Sequence, residues 1–218
     1  ADARLVVFSS LTWTHGTRLP VADLVDVAHD AGAQVLVDAV QSVGQHPVDV
    51  GTWGADAVAA SGHKWLLGGW GGGFLYVAEE FAEGLHPSQV GYFGVRDPPS
   101  PGYDLKPGAH RFEVGTNSLA PYAALQEAIA VNEALGIDAV RERIERLTDR
   151  LKAGLDDEAL YSPRAYESGL VTFRVDEPEA TVERLLEGGV RVKQVPGPDT
   201  VRASVHAFNT ADEGDALL

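Results

Sequence analysis

The sequence predicts an α/β fold: a mostly parallel sheet with helices over residues 1–136, followed by a small α+β C-terminal domain over 137–218. Three observations predict it. The runs Gln34-Val-Leu-Val-Asp38 and Asp56-Ala-Val-Ala-Ala60 are nearly all apolar between polar ends, the pattern of strands buried on both faces. Between the first strand-like run and these two, Val21, Leu24, Val25 and Ala28 recur at helical spacing. Beyond Gly136 the periodicity changes to short strands alternating with helices, the mark of a separate layer.

Leu5 to Phe8 reads as a first buried strand that ends at Ser9-Ser10. The helix from Val21 stops at Gly32, because glycine takes the left-handed turn that closes a helix. The strand 34–38 leads to a turn-like stretch from Gly44 to Gly54, and the strand 56–60 leads into Ser61-Gly-His-Lys64. A glycine-rich segment, Gly68 to Gly73, precedes the strand Phe74–Val77. Residues 84–110 carry Pro87, Pro98, Pro99, Pro101 and Pro107, too many for a packed element, and read as a long functional loop. Helical spacing returns over 119–135, breaks at Gly136, and resumes over 137–155 with Arg and Glu alternating on an exposed face. The remainder predicts strand 169–175, helix 178–188, strands 190–195 and 201–207, and a helix from Asp212.

Composition narrows the chemistry. The 218 residues contain no cysteine, which excludes a disulfide framework, a thiolate metal site and a cysteine nucleophile from these residues. Thirty-two acidic residues face 17 Lys and Arg, a formal charge of −15, and such a surface repels nucleic acid and anionic lipid. The same excess suits a halophilic source, where salt screens the self-repulsion. No apolar run reaches the ~18 residues of a membrane span, and no leader pattern is seen, so the reading is a cytoplasmic protein. The chain opens mid-strand at Ala1 without a methionine, and it reads as a fragment with an upstream portion missing.

In α/β sheets, ligands bind where strands end. Here those ends hold Asp38, with Gln41 just after, and Ser61, His63 and Lys64. An acid after one strand and a lysine after the next could form a structural ion pair. The full set of carboxylate, amide, hydroxyl, imidazole and amine suits pyridoxal phosphate: an amine for the aldehyde, a carboxylate for the pyridine nitrogen, and donors for the phosphate. His15, His46, His110 and His206 have no metal-ligand spacing, and no metal is expected. Gly68–Gly73 precedes a strand instead of opening a helix, so it fails the context of a dinucleotide fingerprint. Trp13, Trp53, Trp65 and Trp70 read as packing residues.

At Asp56-Ala-Val-Ala-Ala-Ser-Gly-His-Lys64 and Gly71-Gly-Gly-Phe-Leu75 the sequence resembles the class-V aminotransferases, fold-type I pyridoxal phosphate enzymes that include cysteine desulfurases and isopenicillin N epimerase-like proteins. Gly16-Thr-Arg-Leu-Pro20, Val37-Asp-Ala-Val-Gln41, Pro47-Val-Asp-Val50, Arg111-Phe-Glu-Val-Gly-Thr116, and Val201-Arg-Ala-Ser204 with Phe208-Asn-Thr210 follow in family order. The resemblance implies that Lys64 forms the cofactor Schiff base and shuttles the Cα proton. It implies that Asp38 pairs with the pyridine nitrogen, Gln41 with the ring oxygen, and Ser61 and His63 with phosphate. It also implies that Thr116 reaches the phosphate of a neighbouring subunit in a homodimer, and that Arg202 grips the carboxylate of an amino acid substrate. On residues alone, Gln41 could be a surface residue, Thr116 a helix N-cap, and Arg202 a strand-end charge.

Family members run to nearly twice this length, so the resemblance places the chain in the later part of the large domain plus the small domain. An incomplete sheet with an unpaired edge is then expected. The stretch 189–201 lacks the cysteine that desulfurases carry there, and Trp13 stands where they tend to place asparagine. The epimerase-like branch is therefore the nearer resemblance, with transamination, epimerisation and elimination all open. The alternatives are a cysteine desulfurase-like lyase or a non-catalytic scaffold relative.

Overall fold

The computed structural model describes residues 2–97, 102–196 and 199–218, so Pro98, Pro99 and Pro101 of the long loop lie outside the described residues. The chain divides into two compact units. The first comprises 1–8, 20–40 and 49–129; the second comprises 9–19, 41–48 and 130–218. The sequence reading drew its boundary at 136/137. The observed division falls earlier, and two short segments from early in the chain join the second unit, for reasons given below.

The first unit contains a four-stranded sheet of order β1 (Leu5–Ser9), β2 (Gln34–Asp38), β3 (Ala57–Ser61) and β4 (Gly73–Val77). Helix α1 (Val21–Asp30) lies between β1 and β2 in the chain and buries Val21, Val25 and Ala28, spaced i, i+4, i+7. Gly32 closes it with φ +76° and an amide donating to His29 O at 2.8 Å. Val35, Val37 and Val58 are fully buried, as the apolar runs require. Strands β2 and β3 are parallel, with Leu36, Val37 and Asp38 level with Ala57, Val58 and Ala59. Strand β4 is antiparallel to β3, because the Gly62–Gly72 connection is a loop with no crossover helix to reverse its direction. Strands β1 and β4 are the sheet edges: β4 leaves Phe74, Leu75 and Tyr76 exposed, and β1, expected as a buried strand, exposes Leu5 and Val7 because it lies at an edge.

Two short helices went unread in the sequence. Helix α2 (Val50–Trp53) is capped by the Asp49 carboxylate, which accepts from Gly51 N at 2.9 Å and Thr52 N at 3.2 Å. Helix α3 (Glu79–Gly84) follows β4. A 3-10 turn, Gly108–Phe112, precedes α4 (Ala120–Leu135).

In the second unit, α5 (Ile137–Ala153) buries Val140, Ile144, Leu147, Thr148, Leu151 and Lys152 on one stripe. Its three-stranded antiparallel sheet has the order β5 (Leu170–Arg174), β7 (Thr200–Ser204), β6 (Lys193–Val195). Leu151, Val171, Phe173, Val201 and Ala203 form its core. Helices α6 (Pro178–Glu187) and α7 (Ala211–Asp215) complete it, the latter opened by a capping box between Thr210 and Glu213. Among the described residues no helix is long and apolar enough to cross a membrane.

Candidate functional site

Asp38 is the last residue of β2 and Ser61 the last of β3. Because the strands are parallel and Asp38 is level with Ala59, both residues emerge at the same carboxyl edge of the sheet. Asp38 Oδ1 accepts from Val40 N at 2.9 Å, a local turn that fixes the carboxylate just past the strand. Ser61 Oγ is buried and has no hydrogen-bond partner. A buried hydroxyl without a partner is uncommon and calls for an explanation.

From Ser61 the chain makes a closed loop. Gly62 N donates to Gly72 O at 2.9 Å, Gly68 N to Gly62 O at 2.8 Å, and Leu67 N to Lys64 O at 2.9 Å. Lys64 is exposed within this loop, while Trp65 and Leu66 are buried beneath it. Leu67 takes φ +63°, a strained conformation of the kind that clusters at functional sites. The glycines permit close approach: a Cβ on Gly68 would lie 2.9 Å from Gly62 O, and one on Gly73 would lie 2.7 Å from Ala60 O. His63 stacks on Trp70 with ring centroids 4.1 Å apart and planes at 19°. Of the four tryptophans read as packing residues, Trp65 is buried, but Trp70 is 82% exposed and Trp13 41% exposed. Their spacing alone did not distinguish these surroundings.

Thr116 belongs to the first unit and is exposed in the coil before α4. In the same motif Arg111 is buried and donates to Ala82 O at 2.5 Å, Leu85 O at 3.2 Å and Lys106 O at 3.2 Å, tying the end of α3 to the long loop. Among the described residues no three acidic or histidine side chains converge to hold a metal ion.

Gln41 and Arg202 belong to the second unit. Gln41 is buried; its carbonyl accepts from Gln45 Nε2 at 2.5 Å, and Gln45 Oε1 in turn accepts from Gly169 N at 2.9 Å. Arg202 lies on the central strand β7, opposite Thr172 of β5 and Lys193 of β6. Its Nη1 donates to Trp13 O at 2.5 Å, its Cζ lies over the Trp13 ring 5.9 Å from the centroid, and its Nε is buried without a partner. Burial lowers its pKa from the ordinary arginine value.

A feature that sequence reasoning missed links these residues. Four consecutive carbonyls, Trp13 to Gly16, each accept a hydrogen bond from a side chain of the second unit. The donors are Arg202 Nη1, Thr172 Oγ1, Ser162 Oγ at 2.6 Å and Ser168 Oγ at 2.8 Å. This rack, together with the Gln45–Gly169 bond, is why 9–19 and 41–48 join the second unit. Its donors lie some 150 residues along the chain, and no local pattern announces them.

The family model for aminotransferase class-V matches residues 1–217. The chain belongs to the class-V aminotransferase family. It is 32% identical over 230 residues to a probable cysteine desulfurase of Methanothermobacter thermautotrophicus, covering 96% of this chain and 58% of that protein. It is 33% identical over 237 residues to isopenicillin N epimerase of Streptomyces clavuligerus, covering 98% and 58%. The cystine C–S lyase C-DES, solved with its product cysteine persulfide, superposes with a TM-score of 0.90 at 30% identity, over 98% of this chain and 59% of that one. A lysine-to-alanine variant of C-DES was solved with glycine covalently linked to the PLP cofactor. The chain thus spans a little over half the length of these class-V relatives. Their fold is shared: a mostly parallel α/β sheet with helices, as the sequence predicts.

Proposed function

We propose that this chain carries the lysine side of a pyridoxal phosphate-dependent active site that acts at the amino group or Cα of an amino acid. One observation carries the reading: an unpartnered, buried Ser61 hydroxyl opens the Lys64 loop at the strand edge where Asp38 also emerges. That donor set fits the cofactor. A hydroxyl awaiting an acceptor suits a phosphate oxygen, a carboxylate suits a protonated ring nitrogen, and an exposed amine suits an aldehyde. The C-DES variant with PLP in place supports the same cofactor.

When bound, pyridoxal phosphate provides an electron sink for the pair released when a bond at Cα breaks. Lys64 Nζ would hold the cofactor through its aldehyde carbon and, once the substrate amine replaces it there, would be free to take the Cα proton. Asp38 keeps a proton at the ring nitrogen, Gln41 donates to the ring oxygen, and Ser61 and His63 donate to the phosphate, with His63 braced against Trp70. Arg202 takes the substrate carboxylate, a planar fork meeting a planar anion. Thr116 serves the phosphate of a second subunit in a homodimer.

For the reaction branch we favour a route that needs no enzyme thiol. These 218 residues contain no thiol, so a transfer that parks sulfur on an enzyme cysteine has no acceptor among them. Epimerisation or transamination needs no enzyme thiol and agrees with the likeness to isopenicillin N epimerase. Elimination across a C–S bond also needs no enzyme thiol, and the likenesses to C-DES and to the probable cysteine desulfurase support it at least as well.

The test is proton exchange at Cα, the step common to all branches. The chain and pyridoxal phosphate are incubated with L-amino acids in D2O, and deuterium at Cα is read by mass spectrometry. Exchange that disappears in Lys64→Ala supports the reading; exchange equal in both proteins overturns it. Inverted configuration or sulfide release then separates the two branches.

A further inference from the structure

Arg202 is an arginine with its donors divided. Nη1 is committed to Trp13 O, and Cζ lies over the Trp13 ring, 5.9 Å from its centroid. Nε is buried and unpartnered. In a guanidinium, Nε–H and one Nη2–H point along the same edge, and that edge matches the two oxygens of a carboxylate. A bond from Nη1 to a carbonyl therefore leaves this side edge as the binding fork. The backbone that carries the indole is held in place, pinned carbonyl by carbonyl from Trp13 to Gly16 by Arg202, Thr172, Ser162 and Ser168. An aromatic face over a partly desolvated guanidinium adds attraction without using a hydrogen-bonding edge.

We propose that Trp13 is the positioning residue of the Arg202 fork: its carbonyl fixes Nη1 and its ring holds the guanidinium plane, so that the Nε–Nη2 edge receives a carboxylate. This deepens the reading of Arg202 as the substrate-carboxylate residue and rests on it. It also gives the exposed Trp13 ring a task that core packing does not. Lys193, level with Arg202 on β6, adds positive charge on the neighbouring strand and favours an anionic ligand.

The probe is N-acetylalanine, which carries the carboxylate but has an acylated nitrogen that cannot react with the cofactor. Its binding to the full chain is followed by calorimetry and by 15N NMR of the arginine Nε–H groups. In the wild type one Nε–H resonance, absent in Arg202→Gln, shifts on binding. Trp13→Ala raises Kd about fivefold, the scale of a lost cation–π contact. Trp13→Phe, which keeps an aromatic face, stays within about twofold. Trp13→Leu, which keeps apolar bulk without the π face, weakens binding as alanine does and stands in for it if the alanine variant does not fold. Kd unchanged in Trp13→Ala or Trp13→Leu, with binding lost in Arg202→Gln, overturns the Trp13 inference and leaves Arg202 as the carboxylate residue. No binding by the wild type, or equal binding by Arg202→Gln, overturns the carboxylate reading and this inference with it.

Discussion

Asp38 is level with Ala59 across the parallel β2–β3 pair, so a carboxylate and the Ser61–Lys64 loop leave the sheet at the same edge. At the start of this loop the Ser61 hydroxyl is buried with nothing to donate to. Ser61→Ala is therefore expected to leave the stability of the cofactor-free chain unchanged or slightly higher, because it removes a buried polar group that lacks a partner. Pyridoxal phosphate affinity should fall about tenfold or more, the scale of one hydrogen bond to a charged oxygen. Urea denaturation and an absorbance titration read the two quantities. A destabilised variant with unchanged cofactor affinity would mean that the hydroxyl serves the fold.

Gly73 begins β4 opposite Ser61, and a Cβ there would meet the Ala60 carbonyl at 2.7 Å. Backbone cannot give way as a flexible side chain can. Gly73→Ala should cost about 1–3 kcal/mol in denaturant unfolding, as overpacking does, and should also weaken cofactor binding by moving Ser61. Wild-type stability in this variant would show that the strand relaxes without strain.

His46 is 3% exposed, packs near Tyr166, and neither ring nitrogen has a hydrogen-bond partner. Burial, reinforced by the positive charge of Arg18 and Arg141, lowers its pKa from 6.5 to about 4, against an opposing backbone contribution at Glu167. The folded state therefore resists a proton that the unfolded state accepts. The His46 share of the stability should fall as pH drops from about 6.5 and be fully lost below about 4, a loss of about 3 kcal/mol. His46→Phe should flatten the profile between pH 6.5 and 5, above the range where carboxylates titrate. Parallel profiles for the two proteins would remove His46 as the cause.

The formal charge of −15 makes a further expectation concrete. If self-repulsion limits stability, the urea midpoint should rise steadily between about 0.1 M and 2 M KCl as screening shortens the reach of each charge. A midpoint that does not move would place the acidic residues outside the stability balance and argue against salt adaptation.

Much of this was legible in the sequence. The strands around Val35–Val37 and Val58 are announced by nearly unbroken apolar runs, because both faces are buried, and helices α1 and α5 by period, because one stripe is. The same apolar runs place Asp38 and the Ser61–Lys64 segment at strand ends, and their roles are part of the proposal. Helices α2 and α3 are too short to show a period. The antiparallel direction of β4 depends on a loop path, the exposure of Trp70 on what lies above it, and the Trp13–Gly16 rack on donors brought together only by the folded second unit. Gln41 is marked by its place just after a strand end and Arg202 only by the resemblance, and the surroundings of both become visible only in three dimensions.

The central claim is that Lys64 is the lysine that holds the cofactor. It is tested most directly by incubating the chain with pyridoxal phosphate, reducing with borohydride, and mapping the labelled peptide. The account predicts one stable pyridoxyl adduct, on Lys64, and its loss in Lys64→Ala. Label spread over Lys106, Lys152 and Lys193, or retained at the same level in Lys64→Ala, would contradict it.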